Sequence, residues 1–508
     1  MPVSSRPIDF RKEMAALVAG LAFPLGFSPF EIIPFAYISL ACLFSVWEDI
    51  RPGRAFLRGL LFGIGQFGVG VYWIHVCLRD YAGSTEVAAF LISAAAVIFL
   101  ALFPALAGFF IAVLSVRKHR ALRLMWICPA CWVFLEWFRA WLEFPGFPWL
   151  QVGYSQSDAI PGALAPLFGV YGVGFFVAFT AGTLVYSLAS CARARKKALI
   201  VLASCWLLTA SLQDYPWTKP VGRPLSVALL QGNIAQQLKL QPETKKQTLH
   251  WYLDKSRSHW GANLIVWPET AVPISFHRLS GLLDDLGAEA VRHGSDLLIG
   301  LPVYDSETNR SFNSIVMLGA GEGRYLKRHL VPFGEYLPFQ PFSNFVTQHM
   351  DFKLAGFSPG PTQQPSIRAA GVPLAPSICY EDVFGQEMLM SMPDAQFLVN
   401  ITNDAWFGRS IALDQNLQIA RLRAMESGRY LVRAANTGLT AIVSPSGDVV
   451  KIAPRLTATV LTGEIQPMDG STPYMRGGDY LVIGFISIYL LLFNLPWRAF
   501  RSVGPSIG

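Results

Sequence analysis

The sequence predicts a polytopic α-helical membrane domain of about eight transmembrane helices joined to a separate α/β domain, and three observations carry that prediction. Hydrophobic residues make up 52% of the chain and charged residues only 15%, whereas a soluble protein carries about 25% charge. The apolar residues gather in long runs over 14–212 and 480–497. Between them, 220–475 mixes charge, proline, glycine and short alternating segments, as a globular domain does. The expected organisation is a transmembrane domain over 1–219, a globular domain over 220–475, and a C-terminal transmembrane helix with its tail over 476–508.

A spanning helix needs about 20 largely apolar residues. The runs that approach this are 14–30, 32–48, 55–74, 87–115, 124–142, 163–190, 197–212 and 480–497. The first is short and carries Pro24 and Pro29; a signal peptide is the alternative, but no small-residue cleavage site follows and a second apolar run begins at once. If these helices alternate, the basic clusters at 6–12, 51–58, 117–123, 193–197 and 498–501 share one side, with Arg79 alone in the short loops opposite. The positive-inside bias makes that side cytoplasmic and puts the globular domain on the outer face. The net charge of +7 reflects these loops, so no nucleic-acid partner is expected.

Within 220–475 the segments alternate in type. "LSVALLQGNI" (225–234) reads as a strand, 243–259 as a helix, "ANLIVW" (262–267) as a buried strand and 279–293 as a helix. Strands at 296–303 and 312–318 follow, then one ending at Cys379, the strand "AQFLVNIT" (395–402) and a helix near 412–428. Such alternation predicts a sheet covered by helices, with functional groups at strand ends.

Six of the seven cysteines precede residue 210, and Cys379 alone lies in the globular stretch. An exported domain meets an oxidising compartment, yet Cys379 has no partner within its domain. It is either a small buried hydrophobe or a nucleophile. Glu269 follows an apolar strand in "IVWPET", and "RYLKRHLVPFGEYLPF" supplies Lys327 and Glu335. A thiol attacking a carbonyl needs a base and an oxyanion holder. Glu269 can be the base; Lys327 can lower the thiol pKa and, with the Tyr380 main-chain N–H, steady the oxyanion.

The order Glu269, Lys327, Cys379 in these contexts resembles the nitrilase superfamily, whose αββα sandwich and Glu-Lys-Cys triad it implies for this domain. More narrowly, "GFPWLQVGYSQ" (146–156), "QGNIAQQLK" (231–239), "WPETA" (267–271), "HLVPFGEYLPF" (329–339), "ICYED" (378–382), "ITNDAWFG" (401–408) and "RAANTGLTAIVSPSG" (433–447) resemble the apolipoprotein N-acyltransferase family, the membrane-embedded branch of that superfamily. The resemblance covers essentially the whole chain. It implies a bacterial inner-membrane enzyme with both termini cytoplasmic and the catalytic domain periplasmic. A phospholipid, chiefly phosphatidylethanolamine, would acylate Cys379, and the N-terminal amine of a diacylglyceryl-modified lipoprotein would take the acyl chain from the thioester. No cofactor or metal is implied, and the enzyme is expected to act as a monomer.

The same resemblance makes Glu335 an additional acid and Tyr380 and Glu381 supporting residues beside the nucleophile. Glu335 would orient Lys327 or relay a proton, and Glu381 would hold its loop. Trp149, Asn313 and Trp406 are candidate substrate contacts, with packing or turn formation as the alternative for Asn313 and Trp406. Phe333, Tyr336, Phe339 and Phe342, with Phe345, Phe352 and Phe357, crowd a proline-broken stretch over 331–357. They form either a core or a mobile arm admitting acyl chains. Leu240 stands in "LKL" where the family commonly reads "LKW", which touches substrate detail and leaves the triad intact.

Glu136 and Arg139, three apart in "FLEWFRAW", can share a helix face as an ion pair or seat a headgroup. A Cys379–His329 pair is conceivable but leaves the glutamate without a task. The competing readings are a membrane-anchored nitrilase-like amidase using water as acceptor, and a non-catalytic lipid-binding sensor or transporter.

Overall fold

The computed structural model describes residues 9–116, 118–142, 146–239, 241–336, 356–392 and 394–492. Leu240, Phe339, Phe342, Phe345 and Phe352, with Arg6, Arg117, Arg498 and Arg501, lie outside the described residues.

Each apolar run carries a helix: Phe10–Ala22, Pro34–Val46, Pro52–Gly70, Glu86–Leu114, Cys128–Trp141, Ala165–Leu188, Ala192–Ala210 and Pro473–Leu492. Not all of them are long and apolar enough to cross a bilayer. Among the described residues Glu86–Leu114, Arg120–Trp141, Ile160–Leu188 and Pro473–Leu492 qualify, and Pro52–Gly70 with Trp73–Tyr81 makes a fifth through a 50° bend. Phe10–Ala22 and Pro34–Val46 have 13 residues each, about 20 Å at 1.5 Å per residue, short of the roughly 30 Å hydrocarbon core. The first ends early because Phe23–Gly26, with Pro24 in its first turn, tightens into a 3₁₀ turn. Ala192–Ala210 opens with Arg193, Arg195, Lys196 and Lys197, which keep its first turns polar.

The helices approach through small residues, which lets backbones touch where no hydrophobic force favours association. A Cβ on Gly59 would meet the Pro104 carbonyl at 2.3 Å, and one on Gly63 the Ala101 Cα at 2.6 Å. The outward face of Glu86–Leu114 presents Val87, Phe90, Leu91 and Ile98 exposed. An apolar face of that extent belongs against lipid. Several basic residues beside the loops are paired: Arg58 with buried Glu13 at 3.1 Å, and Arg123 with Glu48 at 2.9 Å.

Beside a short antiparallel pair, β1 (Lys219–Pro220) with β14 (Met468–Asp469), the globular part holds two six-stranded sheets among the described residues. One runs in the order β13 (Thr459–Ile465), β2 (Leu225–Gln231), β3 (Leu264–Val266), β4 (Asp296–Asp305), β5 (Arg310–Leu318), β6 (Arg324–Leu326). The other runs β12 (Val449–Ile452), β11 (Ala441–Val443), β10 (Leu431–Ala435), β9 (Phe397–Thr402), β8 (Val372–Ile378), β7 (Ile367–Ala369). Strands β2, β3 and β4 are parallel, as are β8, β9 and β10. Their crossovers need helices, supplied in the first set by Pro242–Arg257 and Phe276–Arg292 and between β9 and β10 by Ala412–Ser427.

Side-chain alternation builds the layers. Val227 and Leu229 face the second sheet and meet Ile378, Val399, Ile401 and Val432. Ala228 and Leu230 face outward onto Tyr252, Leu283 and Leu286 of the covering helices. On the far side Leu413, Leu417 and Ala420 pack on Leu398, Leu431 and Val443. The result is the expected αββα sandwich.

Its last layer is unusual. Every residue of Ala412–Ser427 except Asp414 is buried, because its second face lies on the transmembrane helices. Gln415 accepts from Trp149 Nε1 at 2.7 Å and donates to the Gly70 carbonyl at 3.1 Å. Gln418 accepts from the Ser28 N–H at 3.2 Å, and Arg421 grips the Asp158 carboxylate with both terminal nitrogens.

Candidate active site

Glu269, Asn313, Lys327 and Glu335 converge at the ends of the first sheet. Trp267 extends β3 by donating to the Leu298 carbonyl at 2.8 Å, so Glu269 emerges two residues past a rigid strand. Its neighbour is Gly300 of β4, where a Cβ would sit 2.3 Å from the Pro268 carbonyl and 2.9 Å from Glu269 Cα. Lys327 follows β6 directly and is fixed by donating its N–H to the Asn313 carbonyl at 2.8 Å. Glu335 closes a turn in which its carboxylate accepts from the Val331 N–H at 2.8 Å.

The four side chains form one buried network. Lys327 Nζ lies 2.9 Å from Glu335 Oε2, 3.0 Å from Glu335 Oε1 and 3.5 Å from Glu269 Oε1. Asn313 Nδ2 donates to Glu269 Oε1 at 2.7 Å and to Glu335 Oε1 at 2.8 Å. The second Glu269 oxygen accepts from the Asn403 N–H at 2.8 Å. Burial pulls the Lys327 pKa down, but Glu335 and then Glu269 more than offset it and hold the pKa above the ordinary lysine value. The ammonium therefore stays charged.

Cys379 caps β8 with φ at +54°, a left-handed conformation uncommon for residues other than glycine and found at functional turns. Four partners hold this bend. Glu381, 3% exposed, accepts from the Ile378 N–H at 2.7 Å through Oε2, and through Oε1 from Tyr325 Oη at 2.8 Å and the Arg328 and His329 N–H groups at 2.6 and 3.2 Å. That clamp ties the cysteine turn to the segment carrying Lys327. It also distinguishes the two supporting acids: Glu335 bonds the lysine itself, and Glu381 bonds the loop.

The thiol pKa is pushed well above its ordinary value, first by burial and then by the Glu269 carboxylate; Lys327 and a hydrogen bond with Thr402 oppose the rise. The expectation that Lys327 lowers the thiol pKa holds for the sign of its own effect, but burial and Glu269 outweigh it. Such a sulfur rests as a thiol and must lose its proton during attack, a task for an adjacent base.

The other expected contacts fall in different settings. Trp149, 1% exposed, packs 5.1 Å from Trp73 and stacks on Phe147 at 5.9 Å, in the seam between the transmembrane helices and the globular part. Trp406 is half-buried in the 3₁₀ turn Asp404–Phe407. Phe333 and Tyr336 are half-buried in the turn of Glu335, where the Phe333 N–H donates to the Tyr336 carbonyl at 2.8 Å. Glu136 and Arg139 are both buried, but no salt bridge joins them: Glu136 accepts from the Val152 N–H at 2.9 Å, and the Arg139 guanidinium lies 4.9 Å over the Phe67 ring. His329 bonds Glu387 at 2.8 Å through Nδ1.

Sequence reasoning missed a second tier. Arg433 binds Asp382 at 2.9 Å, Asp404 at 3.1 Å and Asn400 Oδ1 at 2.7 Å, all fully buried or nearly so. Asn400 passes this order on by donating to Ser377 at 2.9 Å and to the Cys379 carbonyl at 3.4 Å. Asn436 Nδ2 donates to Asn403 Oδ1 at 3.0 Å and to the Ile234 carbonyl at 2.8 Å, so the stretches "QGNI", "ITND" and "RAANTG" interlock. Lys239 is also buried here, its Nζ 3.4 Å from the Glu269 carbonyl. Their signal was the motif stretches themselves, whose polar residues suit a buried network better than a surface loop.

Two family models agree with this two-part architecture. Residues 19–183 match the family described as apolipoprotein N-acyltransferase N-terminal domain, and 226–473 match carbon-nitrogen hydrolase. A Methylococcus capsulatus protein named apolipoprotein N-acyltransferase is 47% identical over 472 residues, 93% of this chain and 93% of its own. A Coxiella burnetii protein of the same name is 42% identical over 479 residues, 94% of this chain and 98% of its own. Among solved structures, Saccharomyces cerevisiae Nit3 of the nitrilase superfamily covers 55% of this chain and 98% of its own, at 17% identity and a TM-score of 0.37.

Proposed function

The chain belongs to the apolipoprotein N-acyltransferase family, and from that premise we propose how its residues carry out acyl transfer at a membrane. The enzyme moves a fatty acyl group onto the N-terminal amine of a lipoprotein. In our reading Cys379 Sγ adds to the ester carbonyl of a phospholipid while Glu269 takes the thiol proton. Lys327 and the Tyr380 N–H hold the oxyanion. Collapse breaks the acyl–oxygen bond, the departing glycerol oxygen receives the proton from Glu269, and an acyl thioester remains on Cys379. The amine of the diacylglyceryl-modified cysteine then attacks the thioester and gives its proton to Glu269. The Cys379 thiolate leaves and is reprotonated. One difficult amide formation becomes two easier displacements.

The observation that supports this most is the Lys327 ammonium, held charged at 2.9 Å by Glu335 and beside Glu269 at 3.5 Å. A cation so anchored costs no reorganisation when negative charge develops nearby. Glu335 and Asn313 act in this reading by positioning Lys327 and Glu269, and Tyr380 and Glu381 by fixing the cysteine turn. Trp149, Phe333, Tyr336, Phe339, Phe342 and Trp406 are offered as substrate contacts.

The topology follows the same reading: helices within 1–219 and 476–508 cross the inner membrane about eight times, both termini are cytoplasmic, and 220–475 faces the periplasm. The shorter helices would cross as parts of a bundle that thins the local bilayer. The donor is chiefly phosphatidylethanolamine, and the working unit is a monomer.

Incubation with phospholipid alone tests the chemistry. Mass spectrometry should find an acyl adduct on Cys379 that a diacylglyceryl-cysteine peptide discharges. Release of free fatty acid or ammonia without transfer would favour the hydrolase reading, and lipid binding unaltered in Cys379→Ala with no adduct in the parent enzyme would favour a sensor.

A further inference from the structure

The reaction just described accounts for Lys327 but leaves a second buried lysine without a task. Lys239 is 4% exposed. It ends the turn after β2, held by its own N–H on the Ala235 carbonyl at 3.1 Å. That turn is braced on both sides: Gln236 accepts from Asn403 Nδ2 at 3.0 Å, and Gln237 donates to the Asp80 carbonyl of the transmembrane part at 3.3 Å. The turn is therefore a fixed mount that directs the lysine inward.

Among the described residues Lys239 Nζ makes a single hydrogen bond, 3.4 Å long, to the Glu269 main-chain carbonyl. Lys327, by contrast, is bracketed by two carboxylates. A buried ammonium with one long bond to a neutral acceptor is poorly compensated. The strain shows in its pKa, pulled down to about 8 by burial, while Glu269 and then Cys379 act to raise it. Its contact with the main chain of Glu269 puts the ammonium at the reacting centre. It has donors to spare, and among the described residues no carboxylate oxygen pairs with it directly.

The donor lipid brings one fixed negative charge, the phosphodiester, tied to the reacting ester through two or three glycerol carbons. Whatever delivers the carbonyl to Cys379 delivers that phosphate to the same neighbourhood. We propose that Lys239 is the phosphate-binding residue for the acyl donor, contacting the phosphodiester oxygens while Lys327 attends to the carbonyl; the proposal rests on the acyl-transfer reading. The lipoprotein acceptor carries a diacylglyceryl thioether and no phosphate, so this contact favours donor over acceptor at the free enzyme.

The test is a two-by-two comparison of Cys379 acylation rates: parent enzyme and Lys239→Met, each with a phosphatidyl diester and with its methyl phosphotriester, which has the same chains and no charge. The parent enzyme should prefer the diester about tenfold or more, the weight of a charge-assisted contact. Lys239→Met should lose that preference, and Lys239→Arg should keep most of it. Both donors meet the same preparation, so misfolded protein cancels from the ratio. Equal rates for the two donors in the parent enzyme overturn the proposal, as does a preference that survives in Lys239→Met. No acyl adduct on the parent enzyme with the diester would instead bring down the acyl-transfer reading.

Discussion

Tyr380 donates its hydroxyl to the main-chain carbonyl of Gly146 at 2.7 Å, so the residue following Cys379 is bonded to a loop of the transmembrane part. Nearby, Tyr154 of the transmembrane part donates to the Val383 carbonyl at 3.3 Å. The turn that aims the thiol is braced from the membrane side as well as by Glu381. Tyr380→Phe keeps the ring, which packs 5.2 Å from Phe384, and removes only this bond. Acylation of Cys379 should slow about fivefold, the weight of one hydrogen bond, with the midpoint of thermal unfolding in detergent unchanged.

Asn313 separates two carboxylates by giving each a proton to share. Asn313→Ala leaves Glu269 and Glu335 facing each other across a gap bridged only by Lys327, and Asn313→Asp adds a third negative charge. Single-turnover acylation should fall about tenfold or more in the alanine variant and further in the aspartate variant. Equal losses in both would mean that shape, not charge, is what Asn313 supplies.

The raised thiol pKa has a signed consequence. Burial and Glu269 keep Cys379 protonated in the folded protein, while the unfolded chain releases this proton near the ordinary value of about 8.5. The associated stability is complete below that pH and lost as pH climbs toward the folded value. The stability of the parent enzyme relative to Cys379→Ala should therefore decline above about pH 8.5, measured by denaturation in detergent. Iodoacetamide should label Cys379 slowly at neutral pH. Glu269→Gln should speed labelling at a fixed pH while abolishing acylation, since it removes the repelling charge and, in the proposed reaction, the base.

Arg433 is fully buried and shares its one positive charge between Asp382 and Asp404. Arg433→Met strands both carboxylates, and breaking a buried pair this way costs about 3–5 kcal/mol. Burial already pushes Asp382 up to about 7 against the pull of Arg433, so in the variant it should bind a proton and soften the loss below neutral pH. Unfolding measured at acid and neutral pH should show a smaller deficit at the acid end.

Gly300→Ala places a methyl 2.3 Å from the Pro268 carbonyl. The backbone must shift, and Glu269 moves with it. Acylation should drop about a hundredfold, since small misplacements of a reacting group are costly, while phospholipid binding is retained. Full activity would mean that the base tolerates a displaced backbone.

How much of this was legible beforehand varied with the kind of signal. Glu269 and Cys379 could be located because an apolar run that stops at a polar residue marks a strand end. Lys327 and Glu335 came with their motif. Asn313 was weaker, since an asparagine within a strand says nothing about the carboxylates it will meet. Lys239 and Asn403 were invisible as site residues because their roles depend on turns from separate strands coming together. The helix Ala412–Ser427 was readable as a helix, but its sequence does not tell that Gln415, Gln418 and Arg421 are buried against Trp149, Ser28 and Asp158. Apolar runs also concealed where helices stop, as at Phe23–Gly26.

That shared helix fastens the two parts of the molecule together across their seam. Excising 220–475 to obtain a water-soluble catalyst would bare a row of amides and a guanidinium whose mates remain behind in the bilayer part, and the layer that closes the second sheet would lose half its support. Truncated versions should aggregate, and swapping the catalytic half between relatives should succeed only when the membrane half travels with it.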